Sequence, residues 1–390
     1  MNNPKHAALW SLNPDIAHLN HGSFGAVPRD VQAVQNDIRR RALSNPNRWF
    51  RFELPDLLIE ARFTTARWLG VPDAQFAFVP NASQGVITAV QALVDNANMH
   101  HQQAQLVVTS LGYGGVHFGM QRVAQRSNAT LSIATIDYPH EINVDIIVSR
   151  IREALPNSIA PTIVVLDQIT SDTAVLMPVD EIIAKLKATH PHIRFIIDAA
   201  HTAGMLETPL PHGFDVWVGN FHKWLCAPQP SAGIVCATPE IATMMAPLVP
   251  SWGYENGFPT SFDWQGTSDY SAYLATPSAI AFQQRWSYAE RNNHNTDVVD
   301  AGSALLRDAW SVERHASTSI ESPWMRMVRL PMSPAFTLDQ RNALIKLVGH
   351  ELNAETTITT VGDHNYVRLS AHMYNEAEDF KALAELPKLV

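Results

Sequence analysis

Two residues of opposite charge stand at the ends of neighbouring apolar segments in the middle of the chain. Asp198 closes the first segment, in FIIDAAHTAG, and Lys223 follows the second, in FDVWVGNFHKWLCAP. If the two segments are adjacent strands, both side chains lie at the edge where open α/β sheets bind ligands. An amine and a carboxylate at one edge suit pyridoxal phosphate, since its aldehyde forms a Schiff base with lysine and its ring nitrogen needs a carboxylate to stay protonated. The pair therefore predicts a pyridoxal phosphate site.

The lysine can act as a nucleophile only if its amine is neutral. Burial favours the neutral amine, and Trp224 and Leu225, directly after Lys223, are suited to form apolar walls. A simpler interpretation is also open, in which Lys223 is a solvated residue after a strand and Asp198 caps the next helix.

Seven short apolar or β-branched segments recur between residues 75 and 236, and most are too short for helices. We predict strands at Gln75–Val79, Gln105–Thr109, Thr130–Thr135, Thr162–Leu166, Ile193–Ile197, Phe214–Val218 and Ala232–Cys236. Helical segments such as Gln84–Val94 and Pro178–Thr189 lie between them. This alternation predicts an α/β fold, with a three-layer α/β/α large domain around a mostly parallel seven-stranded sheet.

The spacing of the strands changes after about Trp252. The remainder is predicted to contain an extended loop, a long helix, two strands and two further helices, at Ser251–Thr267, Pro277–Asn293, Met325–Leu330, Asn365–Ser370, Leu338–Leu352 and Asn375–Ala384. These elements suit a smaller C-terminal α+β domain. We expect an N-terminal segment over 1–50, the large domain over 51–275 and the small domain over 276–390.

The amino-acid composition excludes several classes of protein. Lys and Arg number 28 against 37 Asp and Glu, a formal net charge of -9, so the basic surface that nucleic-acid binding requires is missing. The 2 cysteines, Cys226 and Cys236, are too few for a disulfide framework. No segment has the ~20 apolar residues of a membrane span, and the N-terminus lacks the apolar core of a signal peptide. We expect a cytoplasmic protein that binds neither nucleic acid nor membrane.

Motifs along nearly the whole chain carry a family resemblance. They are LNHGSFGAVP (Leu19–Pro28), NPNRWF (Asn45–Phe50), PNASQGV (Pro80–Val86), DAAH, HKW, WQGTSDYSA (Trp264–Ala272) and VRLSAHMYN (Val367–Asn375). In this order they resemble the fold-type I pyridoxal phosphate enzymes of the class V aminotransferase group, most closely its isopenicillin N epimerase-like branch. The resemblance implies pyridoxal 5'-phosphate as cofactor, a small-molecule amino-acid substrate, no metal, and a homodimer with active sites at the subunit interface.

The cofactor phosphate is expected where PNASQGV follows the first strand and opens a helix. Ala82 and Ser83 are placed to bind an anion at the helix N-terminus, and an N-cap role of Ser83 is compatible with this. The resemblance implies that His222 and Asn220 also bind the phosphate. Many relatives have a serine in place of Asn220, but an asparagine amide can still donate a hydrogen bond. It also implies that Thr267 reaches the phosphate of a neighbouring subunit's cofactor.

Further residues are expected around the cofactor ring and the substrate. In related enzymes the residue at Tyr113 stacks on the pyridine, the residue at His201 hydrogen-bonds the ring hydroxyl, and the loop of Asp167 and Thr170 lies beside the cofactor. Arg368 matches the family's carboxylate-binding arginine, whose fork of donors suits a substrate carboxylate. Without the resemblance, Tyr113 is equally a packing residue, His201 a structural histidine and Arg368 a surface charge.

The expected reaction begins with removal of the substrate α-proton by the freed amine of Lys223. Epimerisation then needs a second acid, for which His21 at the substrate and Tyr113 are the candidates, whereas transamination and elimination need Lys223 alone. We expect isopenicillin N epimerase-like chemistry, either epimerase/racemase or class V aminotransferase, with a C–S β-lyase acting on a cysteine conjugate as the alternative. A noncatalytic binding protein of the same fold is the alternative of another class.

Two other enzyme classes are disfavoured by the motifs. Cysteine desulfurases of this group use a nucleophilic cysteine in the later part of the chain, and no cysteine follows Cys236. A dinucleotide-binding dehydrogenase would carry G-x-G-x-x-G after its first strand, where this chain has NASQG.

Overall fold

The computed structural model describes residues 6–156, 160–332 and 334–389. The strands in this part of the chain are β1 (Ala17–His18), β2 (Phe76–Val79), β3 (Ala104–Thr109), β4 (Ala129–Ala134), β5 (Thr162–Asp167), β6 (Arg194–Ala199), β7 (Val216–Asn220), β8 (Ala232–Cys236), β9 (Met325–Arg329), β10 (Ala354–Glu355), β11 (Thr357–Val361) and β12 (His364–Ser370). The α-helices are α1 (His21–Phe24), α2 (Arg29–Ser44), α3 (Pro46–Arg48), α4 (Leu54–Leu69), α5 (Ala82–Met99), α6 (Gly114–Arg126), α7 (Val144–Ala154), α8 (Val179–Lys187), α9 (Pro239–Met244), α10 (Thr260–Asp263), α11 (Ser271–Gln283), α12 (Tyr288–Trp310) and α13 (Leu338–Glu351). No helix among the described residues is long and apolar enough to cross a membrane.

Seven strands form one mixed sheet in the order β2-β8-β7-β6-β5-β3-β4. The strands from β7 to β4 run parallel, and β8 is antiparallel to both of its neighbours. Helices cover both faces, which explains why the central strands are apolar almost throughout. In β5, Val164 and Leu166 join the core on one face while Ile163 and Val165 join the core on the other. The predicted α/β fold with a mostly parallel seven-stranded sheet is confirmed.

The carboxyl ends of three neighbouring strands carry the chemistry-bearing residues. Asp167 at the end of β5 pairs in register with Asp198 near the end of β6. Asn220 ends β7, and the turn that holds Lys223 follows directly. Parallel strand direction thus delivers two carboxyl groups and an amine to one edge of the sheet.

A second, three-stranded antiparallel sheet in the order β11-β12-β9 lies in the C-terminal part, with α12 and α13. The start of the chain joins this unit, because β1 pairs in parallel with β10 and Leu19 is buried in the same apolar core. The predicted boundary at residue 275 lies inside α11, whose Ala279 and Phe282 belong to the core of the large sheet.

The predicted long helix Pro277–Asn293 is wrong. Pro277 lies in the interior of α11, and α12 starts afresh after a break. The break is made by a capping box in SYAE, in which Ser287 and Glu290 satisfy each other's backbone N–H groups. The C-terminal sheet also has a third strand, β11, which the sequence analysis missed because its threonines hide the apolar alternation.

A glycine lets α5 approach the large sheet, and a substitution there tests that contact. A Cβ atom on Gly85 would lie 2.5 Å from Val218 Cγ1 and 3.0 Å from Val79 Cγ2. We predict that Gly85→Ala lowers the free energy of unfolding by about 1–3 kcal/mol through overpacking. Gly349→Ala is the matched control, since that helical glycine has open space around it and alanine there should be neutral or stabilising by about 0.5–1 kcal/mol. Urea denaturation measures both, and equal changes in the two variants would contradict the prediction.

Candidate active site

The amine of Lys223 is held beside His201 and shifted toward its neutral form. Its Nζ lies 3.2 Å from His201 Nε2. Burial lowers the pKa of Lys223 to about 7, and the charge of Arg368 adds to this lowering, while Asp198 and Asp167 oppose it. A large share of the amine is therefore neutral near pH 7, as a nucleophile and base requires.

Two buried carboxyl groups lie at the sheet edge, and the pKa of each is raised. Asp198 is buried and accepts the N–H of Ala200 at 3.1 Å. Burial raises the pKa of Asp198 to about 6, although the Ala200 hydrogen bond and Lys223 favour its charged form. Burial and the charge of Asp198 likewise raise the pKa of Asp167 well above its usual range. Repulsion between the two buried carboxyl groups therefore disfavours a negative charge on both at once.

The start of α5 lies against the end of β7. Asn81 caps the helix by accepting the N–H of Gln84, and Asn220 accepts the N–H of Ala82 at 2.8 Å. The Ala82 amide is thus bound within the protein, while Ser83 follows it in the first helical turn, partly exposed. The positive end of the α5 dipole is brought next to the turn that carries Lys223.

His222 also lies in this region. Its Nδ1 is 2.7 Å from the carbonyl oxygen of Ser231. Burial lowers the pKa of His222 to about 4, so the ring is neutral, and its Nδ1 is engaged by the backbone of Ser231, whose N–H lies 3.2 Å from the same nitrogen. Nε2 is the nitrogen left for a ligand.

Arg368 on β12 is a buried cation whose partners are neutral. It donates to the Ser171 carbonyl at 2.5 Å, to Ser23 Oγ at 2.8 Å and to Asn20 Oδ1 at 3.2 Å, and its Nε has no partner. Among the described residues no carboxylate lies within ion-pair distance of Arg368, and burial lowers its pKa to about 10. A guanidinium in this setting favours an incoming anion.

His21 lies behind the lysine turn. Its Nε2 is 3.1 Å from the Lys223 carbonyl oxygen and its Nδ1 is 3.0 Å from Tyr374 Oη. The ring stacks on His372 with 4.2 Å between centroids, and burial lowers the pKa of His21 to about 4. Both ring nitrogens are therefore occupied by the protein itself, and the ring is neutral.

Three further predicted residues have distinct surroundings. Tyr113 precedes α6, is 44% exposed, and donates its backbone N–H to Asp167. Thr170 is buried, where its hydroxyl accepts the Val175 N–H at 2.8 Å and contacts the Thr173 hydroxyl at 2.6 Å. Thr267 is exposed in the segment before α11.

Several residues that the sequence analysis did not single out support the lysine turn from behind. Gln283 donates to the Trp224 carbonyl at 3.0 Å and lies 3.4 Å from Cys226 Sγ, and His372 Nε2 lies 3.6 Å from the same sulfur. Gln283 lies at the far end of α11, outside every quoted motif, so no sequence signal pointed to it. His372 stood within the quoted motif VRLSAHMYN without a role.

Two glycines press directly on the backbone of the lysine turn. A Cβ on Gly25 would lie 2.1 Å from the His222 carbonyl oxygen, and one on Gly204 would lie 2.5 Å from the Trp224 carbonyl group. Both glycines have positive φ, +74° and +91°, so both close packing and conformation exclude a side chain. The turn is confined between the start of the chain and the loop after β6.

These residues fit pyridoxal phosphate. The amine of Lys223 is largely neutral, Asp198 is a buried carboxylate able to hold a ring nitrogen, and the α5 N-terminus suits a phosphate. The buried guanidinium of Arg368, with its unpartnered Nε, suits the carboxylate of an amino acid.

Comparison with known proteins shows the same relationship along the chain. The sequence model described as aminotransferase class-V matches residues 44–383. The probable chloroplastic L-cysteine desulfhydrase of Arabidopsis thaliana is 27% identical over 96% of this chain and 82% of its own length. Isopenicillin N epimerase of Streptomyces clavuligerus is 25% identical over 96% of this chain and 94% of its own.

Solved structures agree in fold. The cysteine desulfurase of Thermococcus onnurineus NA1 superposes with a TM-score of 0.76 at 15% identity, covering 100% of this chain and 98% of that one. The cystine C–S lyase C-DES superposes with a TM-score of 0.74 at 16% identity, covering 96% and 98%. The chain thus belongs to the aminotransferase class-V family and is a pyridoxal-phosphate-dependent enzyme with the fold-type I architecture.

Proposed function

We propose that this enzyme is a C–S β-lyase that cleaves L-cysteine or a cysteine conjugate. The observation that carries the proposal is that Lys223, beside His201, is the group suited to proton transfer at the sheet edge, and elimination requires no second acid. The relatives named as cysteine desulfhydrases, which match along nearly the whole chain, support the same choice.

Each residue has a part in holding the reactants. When bound, pyridoxal phosphate draws electrons from the α-carbon of an attached amino acid. Asp198 would hold the ring nitrogen protonated, His201 would donate to the ring hydroxyl, and Ser83 and His222 would bind the phosphate beside the α5 N-terminus. Arg368 binds the substrate carboxylate, and this orients the α-hydrogen toward the Lys223 amine.

Lys223 performs both proton transfers in the proposed reaction. Its neutral amine takes the α-proton of the substrate, the bond between the β-carbon and sulfur breaks, and sulfur leaves with the bonding electron pair. The resulting ammonium group returns the proton to the sulfur. For L-cysteine and water the overall products are pyruvate, ammonia and hydrogen sulfide, so atoms and electrons balance without an added oxidant or reductant.

Retention of sulfur on the protein, as in a desulfurase, has little support. Both cysteines are buried. Burial raises the pKa of Cys226 to about 12 and also raises that of Cys236. Neither thiol is therefore an accessible thiolate that could attack the substrate sulfur.

Epimerisation is the second candidate, and one observation favours it. The Tyr113 hydroxyl has no hydrogen-bond partner within the described residues and is partly exposed beside the sheet edge, so it is free to act as the opposing acid. His21, the other candidate, has both ring nitrogens bound behind the lysine turn.

The covalent linkage to Lys223 is the first test. We predict that purified protein absorbs near ~420 nm, and that borohydride reduction leaves a pyridoxyl phosphate adduct on the peptide containing residue 223, detected by mass spectrometry. Lys223→Ala should lose both signals, whereas Lys185→Ala, at an exposed lysine, should keep both. An unmodified Lys223 peptide in the reduced wild-type protein would rule the proposal out.

The reaction products distinguish elimination from epimerisation. With L-cysteine we predict sulfide and pyruvate in equal amounts, measured by methylene blue formation and by coupled reduction of the keto acid. Tyr113→Phe should leave elimination within about threefold of wild type, since Lys223 makes both proton transfers. Inversion of the α-carbon without sulfide release, abolished by Tyr113→Phe, would instead establish the epimerase.

Arg368 is tested by a change that keeps its charge. Arg368→Lys loses the fork of donors, and loss of about 1.5–3 kcal/mol from a charge-assisted hydrogen bond raises KM roughly 10- to 150-fold. Retention of the cofactor absorbance shows that the fold is intact. Arg329→Lys, an exposed neighbour on β9, should leave KM unchanged. An unaltered KM in Arg368→Lys would show that the substrate carboxylate binds elsewhere.

A further inference from the structure

Trp224, the residue directly after the lysine, reaches back to the histidine that contacts the lysine amine. Its indole Nε1–H donates to His201 Nδ1 at 3.2 Å. The other nitrogen of the same ring, Nε2, is the atom 3.2 Å from Lys223 Nζ. These two hydrogen bonds, with the peptide bond between Lys223 and Trp224, form a closed circuit of Lys223, His201 and Trp224.

This circuit determines which nitrogen of His201 carries the hydrogen. An indole N–H can only donate, so Nδ1 must accept and cannot itself be protonated. A neutral imidazole has one hydrogen, which is then left on Nε2. The ring is neutral because burial, together with the charges of Lys223 and Arg368, lowers the pKa of His201 well below its usual value.

We propose that Trp224 is a positioning residue that holds His201 in the Nε2–H tautomer, so that His201 presents a donor to the Lys223 amine and to the ring oxygen of the cofactor. The part that concerns the cofactor rests on the proposed function; the part that concerns the amine does not. An Nε2–H group donates to the lone pair of a neutral amine. The opposite tautomer would offer a lone pair there and would favour the ammonium form instead.

The neighbouring side chains hold the indole of Trp224 in place. The indole is fully buried, packs at 5.6 Å against Trp324 and at 4.9 Å against His21, and its carbonyl is held by Gln283. Gly204 presses on the same carbonyl. The indole therefore has no room to turn away from His201.

Three side chains besides His201 influence the protonation of the Lys223 amine. Arg368 disfavours the ammonium form of Lys223, and Asp198 and Asp167 favour it. None of them changes when Trp224 is replaced by phenylalanine, which keeps an aromatic ring and removes the N–H. Any change in the protonation of Lys223 can then be assigned to His201.

The tautomer is measured directly by NMR on protein labelled with ¹⁵N in histidine, both as holoenzyme and after removal of the cofactor. His201→Gln assigns the signals. In wild type we expect the shift of an unprotonated nitrogen for Nδ1 and of a protonated one for Nε2. In Trp224→Phe the ratio of the two tautomers should move about fivefold toward Nδ1–H, the effect of one lost hydrogen bond.

Trp324→Phe is the matched control, because that buried indole donates to Asn292 rather than to His201. It should leave the histidine signals unchanged. A protonated Nδ1 in the wild-type protein would overturn the proposal even if Trp224→Phe did not fold. Equal shifts in both tryptophan variants would also overturn it, since they would reflect loosened packing.

A second readout follows the amine itself. Trace labelling of the cofactor-free protein with acetic anhydride, quantified on the peptide containing Lys223, reports the neutral fraction at each pH. Trp224→Phe should move the midpoint to higher pH and slow labelling at pH 7 roughly two- to fivefold, whereas Trp324→Phe should follow wild type. Coincident curves for wild type and Trp224→Phe would contradict the proposal. Failure of the cofactor assignment would appear separately, as a missing borohydride adduct.

Discussion

Removal of water from the Lys223 amine is the interaction on which the rest of the site depends. An exposed lysine stays protonated near pH 7 and neither attacks an aldehyde nor removes a proton. Here burial lowers its pKa to about 7, and the nearby Arg368 contributes in the same direction. The carboxyl groups of Asp198 and Asp167 oppose this shift, but burial outweighs them.

The surrounding residues share a common feature, which is that most of them are neutral. Burial lowers the pKa values of His21, His201 and His372 and raises that of Cys226. Hydrogen bonds rather than ion pairs therefore hold the lysine turn in place. The lysine turn is thus positioned without adding a charged group that could pair with the buried guanidinium of Arg368.

The sequence predicted the large sheet well because its strands are short, apolar and separated by helices. The predicted ends of β5, β6 and β7 lie within 2 residues of the observed ones, and this was enough to bring Asp198 and Lys223 to one edge. The helix break before Tyr288 was overlooked although SYAE encodes it.

The contacts behind the lysine could not be predicted, for a physical reason. They join residues far apart in sequence: His21 bonds the Lys223 carbonyl, and Gln283 bonds that of Trp224. Neither residue lies in a pattern that requires a partner, and only the folded arrangement of α1 and α11 around the lysine turn brings them together. The tautomer of His201 likewise follows from a three-dimensional contact between two motifs that the sequence shows separately.

The contact of Gly25 with the lysine turn ties the chemistry to the order in which the polypeptide is made. During synthesis, Gly25 and Lys223 emerge from the ribosome well before Arg368 and His372, which complete the enclosure from the other end. A nascent chain therefore carries the Lys223 amine before the walls that bury it are complete. The amine shifts toward its neutral form only when the segments around Gly25 and Arg368 have both been made and have met.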